Sequence, residues 1–389
     1  MSLVVLFAGA FAVQVVAWLA LAVGFARARH RSALPEGTEA TREAASPLPL
    51  PVPPFTVIVA ARNEAARLPA LLEALAAQTH PPAEVLIADD GSTDATAEVA
   101  ASFRDRLPLR VLAIPDGEAA AAGLPRKKHA LATAIAAAQH DRLAFTDADC
   151  VPPPHWLAAF AQHARVAPDA VLIGHSPTRR APGSQAAAAP GTPPWLATLV
   201  RFETFVTAFL TVAALGLGRP YMAVGRSLSY PRSLFDRLGG FAHQAASLSG
   251  DDDLLVQEVH RHRAAPLRAV LDAPVLTGPP ATLGAWLRQK RRHTSAGRFY
   301  DRVALALLAV FHLTHGLVWL GVPVFWATGS WTGAGLLAIL LLIQRGVLRG
   351  PAEALSVADV MPAWPLWMWG YALYNSFVAP LGGLGVRRW

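Results

Sequence analysis

The chain opens with an apolar stretch, passes through a polar gap into a long region of alternating short and periodic apolar runs, and ends in three more apolar stretches. Leu3 to Phe25 is apolar except for Gln14. At about 1.5 Å of rise per residue, a helix of that length crosses a hydrocarbon core of roughly 30 Å. No positive residue precedes the stretch, and Arg27, Arg29 and Arg31 follow it. It therefore reads as a retained transmembrane anchor over residues 1–31 with the following chain on the cytoplasmic side; a cleaved signal peptide is the alternative. Residues 32–54 hold Pro35, Pro47, Pro49, Pro51, Pro53 and Pro54 and predict a solvated, partly extended linker. At the other end, Val303 to Ala327, Thr332 to Leu348 and Ala363 to Leu384 predict a membrane region over 299–389 with about three hydrophobic helices. The middle stretch is short, and the last contains Pro365, Pro380 and Asn375, so one of them suits a re-entrant or interfacial hairpin. Arg345, Arg349, Arg387 and Arg388 cannot all face the cytoplasm if every segment crosses once, which leaves the topology open.

Residues 55–298 have a different period. Thr56-Val57-Ile58-Val59, Val85-Leu86-Ile87-Ala88 and Leu109 to Ile114 read as buried strands; Leu68 to Ala77 and Ala95 to Phe103 between them read as helices. Strand and helix in alternation predict an α/β domain, a mostly parallel Rossmann-like sheet whose ligands bind at the carboxyl ends of its strands. Thr178 to Pro194, rich in Ala, Pro and Gly, predicts an unstructured excursion. Thr204 to Leu217 is apolar but short for a span, and reads equally as an interfacial or a core helix.

Composition agrees with a chain long enough for one large soluble domain and too apolar to be only that: 389 residues, 53% hydrophobic, mean hydropathy +0.34. The net charge of +7 is carried mostly by arginine, since the lysines are Lys127, Lys128 and Lys290. No dense basic and aromatic patch suggests nucleic acid, so anionic headgroups or a phosphorylated substrate are the expected partners. The single cysteine, Cys150, excludes an internal disulfide and a cysteine metal cluster.

Candidate chemistry gathers where the runs end. Asp147-Ala148-Asp149 follows Leu143-Ala144-Phe145-Thr146, presenting two carboxylates one residue apart at a strand exit. Such a pair suits Mg²⁺ or Mn²⁺, hard cations that keep positions for a diphosphate; an acidic turn without metal is the plainer reading. Arg62-Asn63-Glu64 follows the first strand, Asp89-Asp90-Gly91-Ser92-Thr93-Asp94 the second, and Arg126-Lys127-Lys128 opens the helix after Pro125. The second acidic cluster, Gly250-Asp251-Asp252-Asp253-Leu254-Leu255, begins a helical pattern. Ser92, Asp94 and the second cluster equally suit helix caps and turns.

Together these motifs resemble the family-2 glycosyltransferases of the A-type nucleotide-sugar-binding fold over roughly Phe55 to Arg298. The resemblance implies a hexosyltransferase using a nucleotide-sugar donor, a UDP-sugar as first choice, with a divalent metal, Mg²⁺ or Mn²⁺. It implies donor-binding roles for Glu64, for Asp90 ahead of Asp89, for Lys127 and for Asp147, and metal ligation by Asp149 with Asp147. Asp252 would be the general base, with Asp251 beside it on the acceptor side. Gln289-Lys290-Arg291-Arg292-His293 looks like the family's Q-x-x-R-W signature, so Gln289 and Arg292 would serve the acceptor or diphosphate; His293 stands where the family has Trp. That departure favours single transfer over processive polysaccharide synthesis. Bilayer segments on both sides imply a membrane lipid acceptor, a hydroxyl or a phosphate, and a multi-pass protein of the inner cell membrane. A nucleotidyltransferase and a non-catalytic membrane scaffold are the more distant alternatives.

Overall fold

The computed structural model describes residues 3–34, 53–178, 192–327 and 331–384. Most of the expected linker, most of the Thr178 to Pro194 excursion, and Arg387 and Arg388 lie outside the described residues.

The central region is a seven-stranded sheet in the order β3-β2-β1-β4-β7-β6-β8. Its strands are β1 (Phe55–Ala61), β2 (Glu84–Asp89), β3 (Leu109–Ala113), β4 (Arg142–Phe145), β6 (Val171–Ile173), β7 (Leu228–Pro231) and β8 (Leu267–Ala269). A small ribbon pairs β5 (Cys150–Val151) with β9 (Leu276–Thr277). Strands β1 to β4 are mutually parallel, β7 is antiparallel to β4 and β6, and β6 and β8 are parallel. The fold is thus α/β with a mostly parallel sheet.

Alternation along β1 shows why both sheet faces are covered. Phe55, Val57 and Val59 point into a core with α2 (Leu68–Ala76), α3 (Thr96–Ala101) and α6 (Trp156–Val166). Ile58 points the other way, toward Ala130, Leu131 and Ile135 of α5 (Arg126–Ala137), which follows the short α4 (Glu118–Ala121). Continuous apolar strands are what a sheet buried on two faces requires. Because β1 lies between β2 and β4, the chain's direction of winding reverses there, and the crevice outside that reversal is the ligand position of such sheets.

A third core joins the domain to long apolar helices. α1 (Leu3–Ser32) packs along α7 (Pro194–Gly216), with Trp18 stacked on Phe209 at 5.9 Å and Phe25 tilted against the same ring. α7 starts well before the apolar stretch that suggested it, and its hydrophobic window is 67% buried. Thr204 to Leu217 is thus packed against other helices, and as part of a 23-residue helix it is not short for a span. α8 (Arg232–Arg237), α9 (Asp253–His262) and α10 (Leu283–Thr294) complete the domain.

Four helical stretches among the described residues are long and apolar enough to cross a membrane: Val5–Ser32, Pro194–Gly216, Arg302–Pro323 and Gly333–Ala354. The last two belong to α11 (Arg302–Ala327) and α12 (Trp331–Ala354). Ala363 to Leu384 is the stretch that holds Pro365, Pro380 and Asn375. That stretch is not one helix but α13 (Trp364–Leu373), a wider π turn over Tyr374–Val378 and a tighter 3₁₀ segment over Ala379–Leu384. Ten residues of α helix cover only about 15 Å, half a bilayer core. The segment turns back onto α10 closely enough that a Cβ on Gly382 would overlap Thr294.

Candidate functional site

The loops after β1 and β2 are tied to each other. Asn63 adopts a left-handed backbone (φ 55°), which turns its side chain so that Oδ1 accepts from Thr93 N at 2.8 Å, while its own N–H donates to Ser92 Oγ. Asp94 closes the same junction, accepting from Ala65 N and Thr96 N. Asp89 is spent on its own turn, where Oδ1 accepts from the N–H and hydroxyl of Ser92, and it does not reach the cavity lining. Asp90 does reach it. Its carboxylate receives Arg126 Nε at 3.0 Å, and both Arg62 and Arg126 also donate to its carbonyl. Burial raises the Asp90 pKa against the opposing charge of Arg62. Glu64, on the same wall, is paired with Arg67; burial raises its pKa too, with Asp149 and Asp147 adding to the effect.

Asp147 and Asp149, just after β4, line the same cavity, which holds about 680 Å³. Burial alone would raise the Asp147 pKa, but Lys127, Arg226 and Arg292 outweigh it and hold the carboxyl below its ordinary value. Lys127, in the first turn of α5, lies 3.2 Å from Asp147 and 3.3 Å from Asp251. Burial works against its charge, yet Asp147, Asp251 and Asp252 together hold the ammonium above the usual lysine range. Its neighbour Lys128 has a separate task. It is fully buried and donates to the carbonyls of Gln244 and Ser247, fixing the loop that leads to the second acidic cluster.

That cluster sits at the start of α9. Asp252 caps the helix, with Oδ1 accepting from Asp253 N at 2.8 Å and Oδ2 from Gly225 N at 2.7 Å. Burial first and Asp251 second push its pKa up to about 6. Asp253 accepts from Ala223 N and from the Tyr300 hydroxyl at 2.5 Å. The cap reading and the active-site reading of this cluster are physically compatible, since Asp251, Asp252 and Asp253 all line the cavity that Asp147 and Asp149 line.

From α10, Gln289, Arg292 and His293 line the same cavity. His293, enclosed and close to Lys290, Arg292, Arg226 and Lys127, has an imidazole pKa held well below the ordinary value. Of the residues to which the family resemblance gave a site role, Asp89 alone stays outside the lining. Arg126, which clamps Asp90, and Tyr300, which holds Asp253, carried no signal beyond a basic triplet and a stretch without a motif.

Among the described residues no group of three or more His, Cys, Asp or Glu side chains is disposed around a common metal position. The donor set that does face the cavity nevertheless suits a hard cation shared with a phosphorylated ligand. Its carboxylates offer oxygen, alongside the imidazoles of His175 and His293, and among the described residues the Asp149 carboxylate accepts only from the weak Cys150 thiol donor at 3.6 Å, which leaves it open to a cation.

Residues 56–212 match Glycosyl transferase family 2, and residues 143–378, more than half of the chain, match Glycosyl transferase family group 2. The chain belongs to glycosyl transferase family group 2. Relatives similar in sequence include a validoxylamine A glucosyltransferase of Streptomyces hygroscopicus subsp. limoneus, 29% identical over 232 residues, or 54% of this chain and 49% of that one. Glycosyltransferase AglE of Haloferax volcanii is 34% identical over 111 residues, covering 27% of this chain and 34% of its own. The chain spans about half the length of the first of these relatives and less of the second. Among solved structures, the mannosyltransferase PcManGT of Pyrobaculum calidifontis, in complex with GDP-Man and Mn²⁺, superposes with a TM-score of 0.56 at 20% identity, covering 96% of this chain and 99% of that one. The likeness establishes the A-type glycosyltransferase fold.

Proposed function

We propose that the chain is a membrane-bound, inverting glycosyltransferase that moves a single sugar from a nucleoside-diphosphate sugar to a lipid acceptor. The observation that carries this reading is the position of Lys127 between Asp147 and Asp251, which draws two acidic clusters far apart in sequence to one cavity. A cavity with carboxylates on two sides and cations between them suits a donor whose diphosphate and reacting carbon need different partners. The family relationship and the naming of a relative as a glucosyltransferase support sugar transfer.

The residues then divide by chemistry. A carboxylate only accepts hydrogen bonds, so Asp90 and Glu64 suit the N–H and ribose hydroxyl donors of a nucleoside. Lys127, Arg226 and Arg292 offset the charge of the diphosphate, with Gln289 beside them. Asp149, with Asp147, would hold a divalent cation, Mg²⁺ or Mn²⁺, which supplies Lewis-acid neutralisation of the departing diphosphate. Asp252 takes the proton from the acceptor hydroxyl as its oxygen bonds to the anomeric carbon. The carbon–oxygen bond to the diphosphate breaks, and its electron pair leaves with the nucleoside diphosphate. A raised carboxylate pKa suits that proton transfer.

Membrane placement rests on α1, α11 and α12, each long and apolar enough to span. With Arg27, Arg29 and Arg31 after α1, the catalytic domain faces the cytoplasm of the inner cell membrane. Incubating detergent-solubilised protein with a panel of nucleotide sugars and total membrane lipid, followed by mass spectrometry, tests the reading. A lipid heavier by one sugar, with release of nucleoside diphosphate, is expected. Release of pyrophosphate instead, or failure to bind any donor, would overturn it.

A further inference from the structure

A second cavity of about 920 Å³ adjoins the polar one and is mostly apolar. It runs along one face of α11, where Leu305, Ala309, His312, Gly316 and Leu320 follow each other at three- and four-residue steps. Those residues cover about 22 Å of helix. The opposite walls come from Leu6 and Phe7 of α1 and from Tyr371 and Tyr374 near the chain end. Its size is at the upper end of the roughly 300–1,000 Å³ of small-molecule sites. The two cavities share Thr207, Met222, Asp253, Lys290 and His293, so the groove opens beside the second acidic cluster. On its outer side Leu305, Leu313 and Leu317 are about half exposed or more, so a molecule dissolved in the bilayer could enter sideways.

The charges in this groove select the occupant. Its one lining cation, Lys290, forms an ion pair with Glu203 of α7. Asp253 is held by the Tyr300 hydroxyl and Ala223 N, and among the described residues no arginine lines the groove. Beyond the junction, Lys127, Arg226 and Arg292 are the cations that the donor diphosphate would take, and Lys290 is already paired with Glu203, so a second phosphate at the junction would have no cation of its own. A phosphate oxygen is moreover already anionic and has no need of a proton acceptor, whereas a hydroxyl does.

We propose that the acceptor is an uncharged long-chain alcohol, seated along α11 in this groove with its hydroxyl at the junction beside Asp252 and Asp253. The proposal rests on the transferase reading above and narrows its acceptor from any lipid to an alcohol. The test uses the full chain in detergent or nanodiscs with the donor identified in the lipid screen. A twenty-carbon isoprenoid alcohol and its monophosphate are offered side by side. Glycosylation of the alcohol at least about 10-fold faster than of the phosphate is expected; preference for the phosphate would overturn the proposal while leaving sugar transfer standing. The seat is tested with Leu313→Trp and Ala309→Phe, two apolar enlargements of the wall, the first at a position 68% exposed and so tolerant of bulk. Each takes volume from the groove and should raise the KM for the alcohol about 10-fold, while donor affinity stays as in the parent. An unchanged KM in both would overturn the seat. Absence of donor binding in the parent protein would instead sink the transferase reading, so the two failures are distinguishable.

Discussion

The backbone N–H of Gly225 donates to Asp252 Oδ2 at 2.7 Å, and the approach is close enough that a Cβ on Gly225 would lie 3.2 Å from that oxygen. This bond and the one from Asp253 N fix the carboxylate at the helix start, while burial and Asp251 disfavour its charge. Its pKa of about 6 predicts an acid limb in kcat/KM with a midpoint near 6, rising with pH as Asp252 loses its proton. Asp252→Asn should lower kcat by about 100-fold or more while donor affinity stays close to the parent. Equal loss of both would make the residue structural.

The same shift bears on stability with a definite sign. The folded pKa lies above the unfolded one, near 3.8, so the stabilising contribution is fully present below about 4 and is lost as pH rises through about 6. Two pKa units correspond to nearly 3 kcal/mol, and partial solvent access reduces this to roughly 2. Between pH 4 and 7 the melting temperature of the parent should fall relative to that of Asp252→Asn. Parallel profiles would show that the carboxylate is not strained by burial.

Lys127 neutralises carboxylates from both acidic clusters, so its removal should act on donor binding before anything else. Lys127→Met should weaken donor affinity about 10- to 100-fold, the range expected for a charged hydrogen bond of roughly 1.5–3 kcal/mol. Asp149→Ala should abolish the effect of added Mn²⁺ on donor binding, measured by calorimetry with and without chelator. A metal dependence equal to that of the parent would remove Asp149 from the cation site.

The parts of this arrangement differ in how readable they were along the chain. Strand exits were legible because runs such as Val85-Leu86-Ile87-Ala88 end abruptly in Asp89-Asp90-Gly91, and turn chemistry follows directly from those residue types. Which of two adjacent carboxylates faces the cavity was decided instead by Ser92, which ties Asp89 down. Lys127 and Lys128 look alike in sequence, yet successive helix positions point about 100° apart, and only the folded loop at Gln244 and Ser247 shows what the second one holds. The length of α7 was hidden for a similar reason. Its burial comes from α1 and its polar positions are matched from afar, Glu203 by Lys290 and Arg201 by Asp359.

Lys128 supplies a contrast with Lys127. Lys128→Met should leave two buried carbonyls without their donor and destabilise the fold by about 2–3 kcal/mol. Donor affinity of the folded fraction should change far less than in Lys127→Met. Thermal denaturation and calorimetry on the same samples separate the two effects. A large loss of donor affinity with unaltered stability would place Lys128 in the site.

The contact of α1 with the catalytic domain depends on two glycines. A Cβ on Gly216 would lie 1.8 Å from the Gly24 carbonyl oxygen, and one on Gly24 would lie 2.3 Å from that of Ala213, so the helix backbones touch where side chains would normally separate them. Below this crossing, Ser32 Oγ accepts from Ala269 N of β8 at 2.9 Å, linking the helix end to the sheet edge. An alanine at either glycine cannot be relieved by a rotamer change, because the atoms it meets are backbone. Gly216→Ala should therefore cost about 3 kcal/mol of stability in detergent, the upper part of the overpacking range. Gly9→Ala on α1 is the control, since nothing lies within 4 Å of its added methyl, and helix propensity favours alanine. Equal melting temperatures for the two variants would mean that α1 separates from α7 without consequence, and that α1 is a tether rather than part of the fold.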